Sequence, residues 1–178
     1  LDLAAGNGGW YPYVTPGPSR VYQNEGGSLP VSGTWTAADG DNTHGVAWGD
    51  WDSDGDLDLA AANGDNTGPQ HTRVYGNSGI FPYLGSVWQS TDDELRMDVA
   101  WGDLDGDGDL DLAAAGGAAN TVYTNSGGSL AQGWTATDSP SGVCAAWGDV
   151  DGDGDLDLAV GKLGGSNVVY DNHWITRP

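Results

Sequence analysis

Basic residues are nearly missing from this chain: five Lys and Arg stand against 26 Asp and Glu in 178 residues, a formal charge of −21. A surface of that sign repels phosphate backbones, which argues against nucleic acid as a partner. Cysteine is scarcer still. Cys144 is the only one, so no internal disulfide forms, and its place before an apolar strand predicts a small, semi-buried side chain. Apolar runs stay far short of the roughly 20 residues a membrane helix needs. Neither membrane insertion nor a secretory leader is therefore expected in this sequence. There is no Asn-x-Ser/Thr acceptor, so N-glycosylation at that motif is not expected. No segment sustains a 3.6-residue apolar period, which argues against helices.

What is present is glycine and aromatic residues: 31 Gly and 8 Pro supply turns, and 9 Trp with 7 Tyr favour strands. The length fits one domain with ample chain for a core. The strongest signal is a nine-residue acidic loop, D-x-D-x-D-G-D-L-D, written three times. Asp50, Asp52, Asp54, Asp56 and Asp58 form the first copy. Asp103, Asp105, Asp107, Asp109 and Asp111 form the second, and Asp149, Asp151, Asp153, Asp155 and Asp157 the third.

Five carboxylates this close repel one another unless a cation sits among them. Oxygens at alternate positions suit Ca²⁺, which takes about 6–8 oxygen ligands, so three calcium sites are expected. Three such ions would return six charges and leave −15. The sixth-position glycines, Gly55, Gly108 and Gly154, permit the sharp bend. Asp50, Asp52, Asp54 and Asp58, with their equivalents, are expected to give side-chain oxygens. At the seventh position (Asp56, Asp109, Asp155) the main-chain carbonyl is expected to coordinate, leaving the carboxylate to point outward or reach a water. Structural calcium sites fit a calcium-rich exterior, which points to an extracellular or cell-surface location.

Leu-Asp-Leu recurs at Leu1, Leu57, Leu110 and Leu156, at spacings of 56, 53 and 46 residues. Periods near 50 point to propellers or solenoids. Each repeat runs in one order. An apolar stretch ends in Trp-Gly-Asp, then come the acidic loop, Leu-Asp-Leu-Ala, and x-Val-Tyr-x-Asn; a last strand carries Trp35, Trp88 or Trp134 and closes near Asp39, Asp92 or Asp138. That makes four short strands per repeat, and the alanines after each loop suit inner strands squeezed between neighbours. Four-stranded blades repeated radially, an all-β propeller, fit best.

The run W-G-D-x-D-G-D-G-D-L-D-L-A resembles the FG-GAP/VCBS repeat of integrin-α-type propellers, in which a calcium hairpin joins the first two strands of a blade. The Phe-Gly and Gly-Ala-Pro signatures of that family are not spelled out here. EF-hands and dockerins share D-x-D-x-D-G but need a flanking helix, whereas the residues after Asp58 are Ala-rich and stopped by Asn63-Gly64.

The region 1–178 divides into repeats 1–56 (starting mid-blade), 57–109, 110–155 and a partial 156–178. Strand counts of three, four, four and three give 14, about three and a half blades. Two readings follow: a stretch of a longer propeller, or copies that associate to complete blades. The first is preferred, because three and three do not make four and open edges invite aggregation.

In such blades the acidic loops share one face, and the connections of variable length lie on the other. A protein or glycan partner is expected on that second face. Trp10, Tyr11 and Tyr13 form its most ligand-like tip, with a loop folded back on its own blade as the plainer alternative. His44 and His71 fall on the same face, where a solvated loop histidine is the default. Recurring Trp48, Trp101, Trp147, Trp35, Trp88 and Trp134 read as blade packing, as does Trp51, and Trp174 as core or an end cover.

Carboxylate pairs can hydrolyse glycosides, but three identical loops read as ligand sets, and no nucleophile elbow or Walker loop occurs. The expected function is a non-enzymatic adhesion, recognition or assembly module. A carbohydrate-binding lectin-like propeller comes next, and a polysaccharide-active enzyme is a distant third.

Overall fold

The structure is a computed structural model and describes residues 2–8, 17–64, 70–80, 83–138 and 141–173. Among these there are fourteen β-strands and no helix. The first sheet holds β1 (Leu3–Ala5), β2 (Arg20–Tyr22) and β3 (Trp35–Thr36). The second holds β4 (Thr43–Gly49), β5 (Asp58–Asn63), β6 (Arg73–Asn77) and β7 (Leu84–Gln89). The third repeats this with β8 (Asp98–Gly102), β9 (Asp111–Ala115), β10 (Thr121–Asn125) and β11 (Leu130–Thr135). The fourth holds β12 (Gly142–Gly148), β13 (Asp157–Lys162) and β14 (Val168–Tyr170).

Every pairing is antiparallel and joins consecutive strands, so each sheet is an up-and-down meander like a propeller blade. Among the described residues the four sheets hold three, four, four and three strands, the succession expected from the sequence.

The second strands explain the alanine runs. In β5, Leu59 and Ala61 face the first sheet, while Ala60 and Ala62 face the third. In β9, Leu112 and Ala114 turn to the second sheet and Ala113 and Ala115 to the fourth. Both faces are buried, so the strand reads as a continuous apolar run rather than an alternation. First strands sit side by side, β4 against β8 and β8 against β12. The closeness is visible at Gly102, where an added Cβ would stand 2.5 Å from Trp147.

Each boundary between sheets carries the same aromatic pair. Trp35 meets Tyr75, Trp88 meets Tyr123 and Trp134 meets Tyr170, all edge-on with centroids 4.8–5.1 Å apart. The indole Nε1 then donates across the boundary, Trp35 to Leu84 O and Trp88 to Leu130 O, both at 3.0 Å. The tyrosine hydroxyl donates back to the aspartate that closes the preceding sheet: Tyr75 to Asp39, Tyr123 to Asp92 and Tyr170 to Asp138. Recurrent tryptophan is therefore blade packing, as its register predicts.

One expectation about burial needs correction. Cys144 is exposed rather than semi-buried, because it lies on β12, whose outer flank no further sheet covers among the described residues. Asp39 is an exposed residue whose carboxylate nevertheless turns inward to Tyr75 and Arg73, with the side chain 17% exposed. Trp174 lies outside the described residues.

Candidate metal centres

Each acidic loop joins the first two strands of a sheet: β4 to β5, β8 to β9 and β12 to β13. A strand follows each one, where an EF-hand would place a helix. The sixth-position glycines take φ of 94°, 97° and 98°, the left-handed region where a Cβ is strained. The fourth position also takes positive φ, at Gly106 (73°), Gly152 (80°) and Ser53 (61°).

Within each loop the first, third and ninth aspartates converge. Asp50, Asp52 and Asp58 offer oxygens within 4.8 Å of one another, as do Asp103, Asp105 and Asp111, and Asp149, Asp151 and Asp157. An all-carboxylate oxygen set of this kind suits a hard divalent cation and lacks the nitrogen or sulfur that zinc favours. The residues present therefore fit such an ion.

The ninth aspartate is the keystone of each loop. Asp58 is buried, and its Oδ2 accepts from Trp51 N at 3.0 Å and its Oδ1 from Asn77 N at 2.7 Å. Asp111 repeats this with Leu104 N and Asn125 N, and Asp157 with Val150 N and Asn172 N. One carboxylate thus ties the loop's second residue to the third strand. Burial raises Asp58 to about 6, against two backbone donors that pull it down, with Asp52 and Asp54 pushing the same way as burial. Burial likewise raises Asp111. Asp157 goes down instead, held by the Asn172 and Val150 amides.

The fifth and seventh aspartates lie outside these three-carboxylate groups. The fifth accepts from the amide of the seventh at 2.9 Å in every loop: Asp54 from Asp56, Asp107 from Asp109 and Asp153 from Asp155. Asp109 Oδ2 in turn accepts from Gly127 N at 2.7 Å, which clips the loop to the hairpin between β10 and β11.

Two asparagines from the recurring x-Val-Tyr-x-Asn, Asn125 and Asn172, have a role that sequence reading missed. Asn125 Nδ2 donates to Leu110 O in its own loop and to Trp51 O in the loop of the preceding sheet, at 3.1 and 2.6 Å. Asn172 does the same with Leu156 O and Leu104 O. The signal was present in their fixed spacing after Val-Tyr, but nothing in one repeat reveals a partner in another.

On the opposite face, His44 Nε2 lies 2.7 Å from Gly64 O, and His71 Nδ1 lies 3.0 Å from Asp92 O. Both rings are engaged with backbone rather than simply solvated. Trp10, Tyr11 and Tyr13 lie outside the described residues.

No curated protein matches the chain. FG-GAP-like repeats match residues 1–61, 54–114 and 103–160. With strand order, acidic hairpins and repeat matches in agreement over most of its length, the chain belongs to the FG-GAP-like repeat family.

Proposed function

We propose that this chain is a calcium-stabilised, non-enzymatic β-propeller module that serves adhesion, recognition or structural assembly outside the cell. The observation that carries the reading is the threefold recurrence of one carboxylate group on the same hairpin, each wired into the sheet it serves. A catalytic centre would be single and asymmetric; three equal groups serve the scaffold. Asp50, Asp52 and Asp58, with their equivalents, would hold the ion. Asp54 and the main-chain carbonyl of Asp56, again with their equivalents, complete the proposed oxygen set. With the acidic loops on one face, the partner is proposed to meet the other, where the connections differ in length.

The ion would neutralise carboxylates that otherwise oppose closure of the first hairpin. Binding to the folded form alone then adds stability by mass action, about 2.7 kcal/mol per site at a hundredfold excess over Kd. Calorimetric titration of the chelator-treated chain with Ca²⁺ should give three sites, and melting should rise with calcium. Asp103→Ala should leave two. A chain that melts at the same temperature in calcium and in chelator overturns the reading.

A further inference from the structure

The asparagines that bridge neighbouring loops also join the carboxylate groups to one another. Trp51 stands between Asp50 and Asp52, two of the three aspartates that converge in the first loop. Its N–H is held by Asp58, the third of them, at 3.0 Å, and its C=O by Asn125 Nδ2 at 2.6 Å. Both peptide units between Asp50 and Asp52 are thus pinned, one from the loop's own sheet and one from the next. Asn125 is itself fixed by the second loop, since its N–H donates to Asp111 Oδ1 at 2.7 Å. Its side-chain Oδ1 accepts from Gly128 N and Ser129 N, which leaves Nδ2 for the two loop carbonyls.

The same path continues into the third loop. Asp111 Oδ2 accepts from the N–H of Leu104, which stands between Asp103 and Asp105, and Leu104 O accepts from Asn172 Nδ2 at 2.8 Å. Asn172 N donates to Asp157 Oδ1, and Asp157 Oδ2 accepts from the N–H of Val150, between Asp149 and Asp151. One succession of contacts therefore runs Asp58, Trp51, Asn125, Asp111, Leu104, Asn172, Asp157. Every member but the partly buried Leu104 is buried, where hydrogen bonds are strengthened by the low local dielectric. The first and second carboxylate groups meet through Asn125 and the second and third through Asn172. Along this path the first and third meet only through the second.

We propose that Asn125 and Asn172 couple cation binding at neighbouring loops, so that filling one group raises the affinity of the next. The inference rests on the calcium reading above and adds nearest-neighbour cooperativity to it. Asp111 held in a filled second group holds Asn125, and Asn125 holds the peptide between Asp50 and Asp52. Part of the ordering that the first group needs is then in place before its own ion arrives, which raises affinity by preorganisation. Linkage makes the effect reciprocal: a filled first group favours the second by the same factor. Repulsion between bound ions acts the other way, and at about 0.15 M salt it is largely screened beyond about 8 Å. Coupling through folding of the whole chain would join any two sites equally, whereas these asparagines join neighbours only.

Each loop carries its own reporter for the test, since the amides of Gly55, Gly108 and Gly154 donate to Asp50, Asp103 and Asp149 at 3.0–3.1 Å. Nuclear magnetic resonance of the full chain, isotope-labelled at glycine and titrated with Ca²⁺, follows the three amides separately. Asp149→Ala keeps the first and second groups, and Asp103→Ala keeps the first and third. In Asp149→Ala the Gly55 and Gly108 curves should rise together, each ion raising the other's affinity about fivefold or more. In Asp103→Ala the Gly55 and Gly154 curves should be independent. Asn125→Ala, with all three groups intact, should uncouple Gly55 from Gly108 and leave Gly108 coupled to Gly154. Near-UV circular dichroism checks folding, and if Asn125→Ala does not fold, the two aspartate variants decide alone. Independent curves in Asp149→Ala overturn the proposal, as does equal coupling in the two aspartate variants. Three glycines that ignore calcium overturn the calcium reading itself, whereas three that respond independently overturn only the coupling.

Discussion

Trp88 stands edge-on to Tyr123 across the boundary between the second and third sheets, centroids 5.0 Å apart and planes at 68°. The tyrosine hydroxyl donates to Asp92, and Asp92 also faces the buried Arg96 guanidinium at 3.4 Å. Burial and the neighbouring Asp92 carboxylate keep the phenol protonated well above its ordinary range, although Arg96 pulls the other way. Tyr123→Phe should cost about 1.5–3 kcal/mol, the loss of one hydrogen bond to a charged acceptor. Asp92→Ala should cost roughly 3–5 kcal/mol, because it leaves a buried cation without its carboxylate. Asp39→Ala should cost less, since Arg73 keeps Asp41 at 2.5 Å. Denaturant unfolding of the three variants checks the order, and equal losses from Asp92→Ala and Asp39→Ala would contradict it.

Two equivalent glycines should behave oppositely. At Gly102 a methyl group would press into the Trp147 ring, whereas at Gly148 nothing lies within 4 Å. Gly102→Ala should destabilise by about 1–3 kcal/mol through overpacking. Gly148→Ala should stay within about 0.5 kcal/mol of wild type. Thermal melts of the pair decide whether first strands pack this closely in solution.

The first acidic loop departs from the other two at one backbone position. Ser53 takes φ of 61° where the other loops place Gly106 and Gly152. Relieving that conformation by Ser53→Gly should stabilise the chain by up to about 1 kcal/mol. Calcium-saturated melts would show it, and a lower melting temperature would count against it.

Much of this fold was legible in advance because the repeat supplied its own register. Leu-Asp-Leu, Val-Tyr and the tryptophans mark strands at constant order, and the acidic loop marks the turn between the first two. The roles of Asn125 and Asp92 were not legible, for they act across a boundary between repeats. Period-2 patterning tells which way a side chain points but not which neighbour meets it. Cys144 misled for the same reason: its strand is apolar, yet its exposure depends on what lies beyond the fourth sheet.

Acid should act in opposite directions with and without metal. Asp58, raised to about 6 from an ordinary 3.8, favours folding when protonated. Its contribution is present at low pH and is lost as pH rises through about 6. In chelator the chain should therefore melt higher at pH 4.5 than at pH 7, by the equivalent of about 2 kcal/mol. In calcium the order should reverse, because protons displace the ion. Paired melts at the two pH values test this, and the same slope in both buffers would argue against Asp58 as a ligand.

The three cations at the boundaries come from three different places in the repeat. Arg73 lies on a third strand, Arg96 in the connection leading into a first strand, and Lys162 on a second strand, yet they face the equivalent aspartates Asp39, Asp92 and Asp138. The repeats are therefore not interchangeable parts. Transposing the second and third would set Thr121 beside Asp39, where Arg73 now stands, and carry Arg96 away from Thr121. Neighbours in this array have become matched pairs, so duplication or shuffling of a single repeat would have to be followed by re-matching of its charges on both sides.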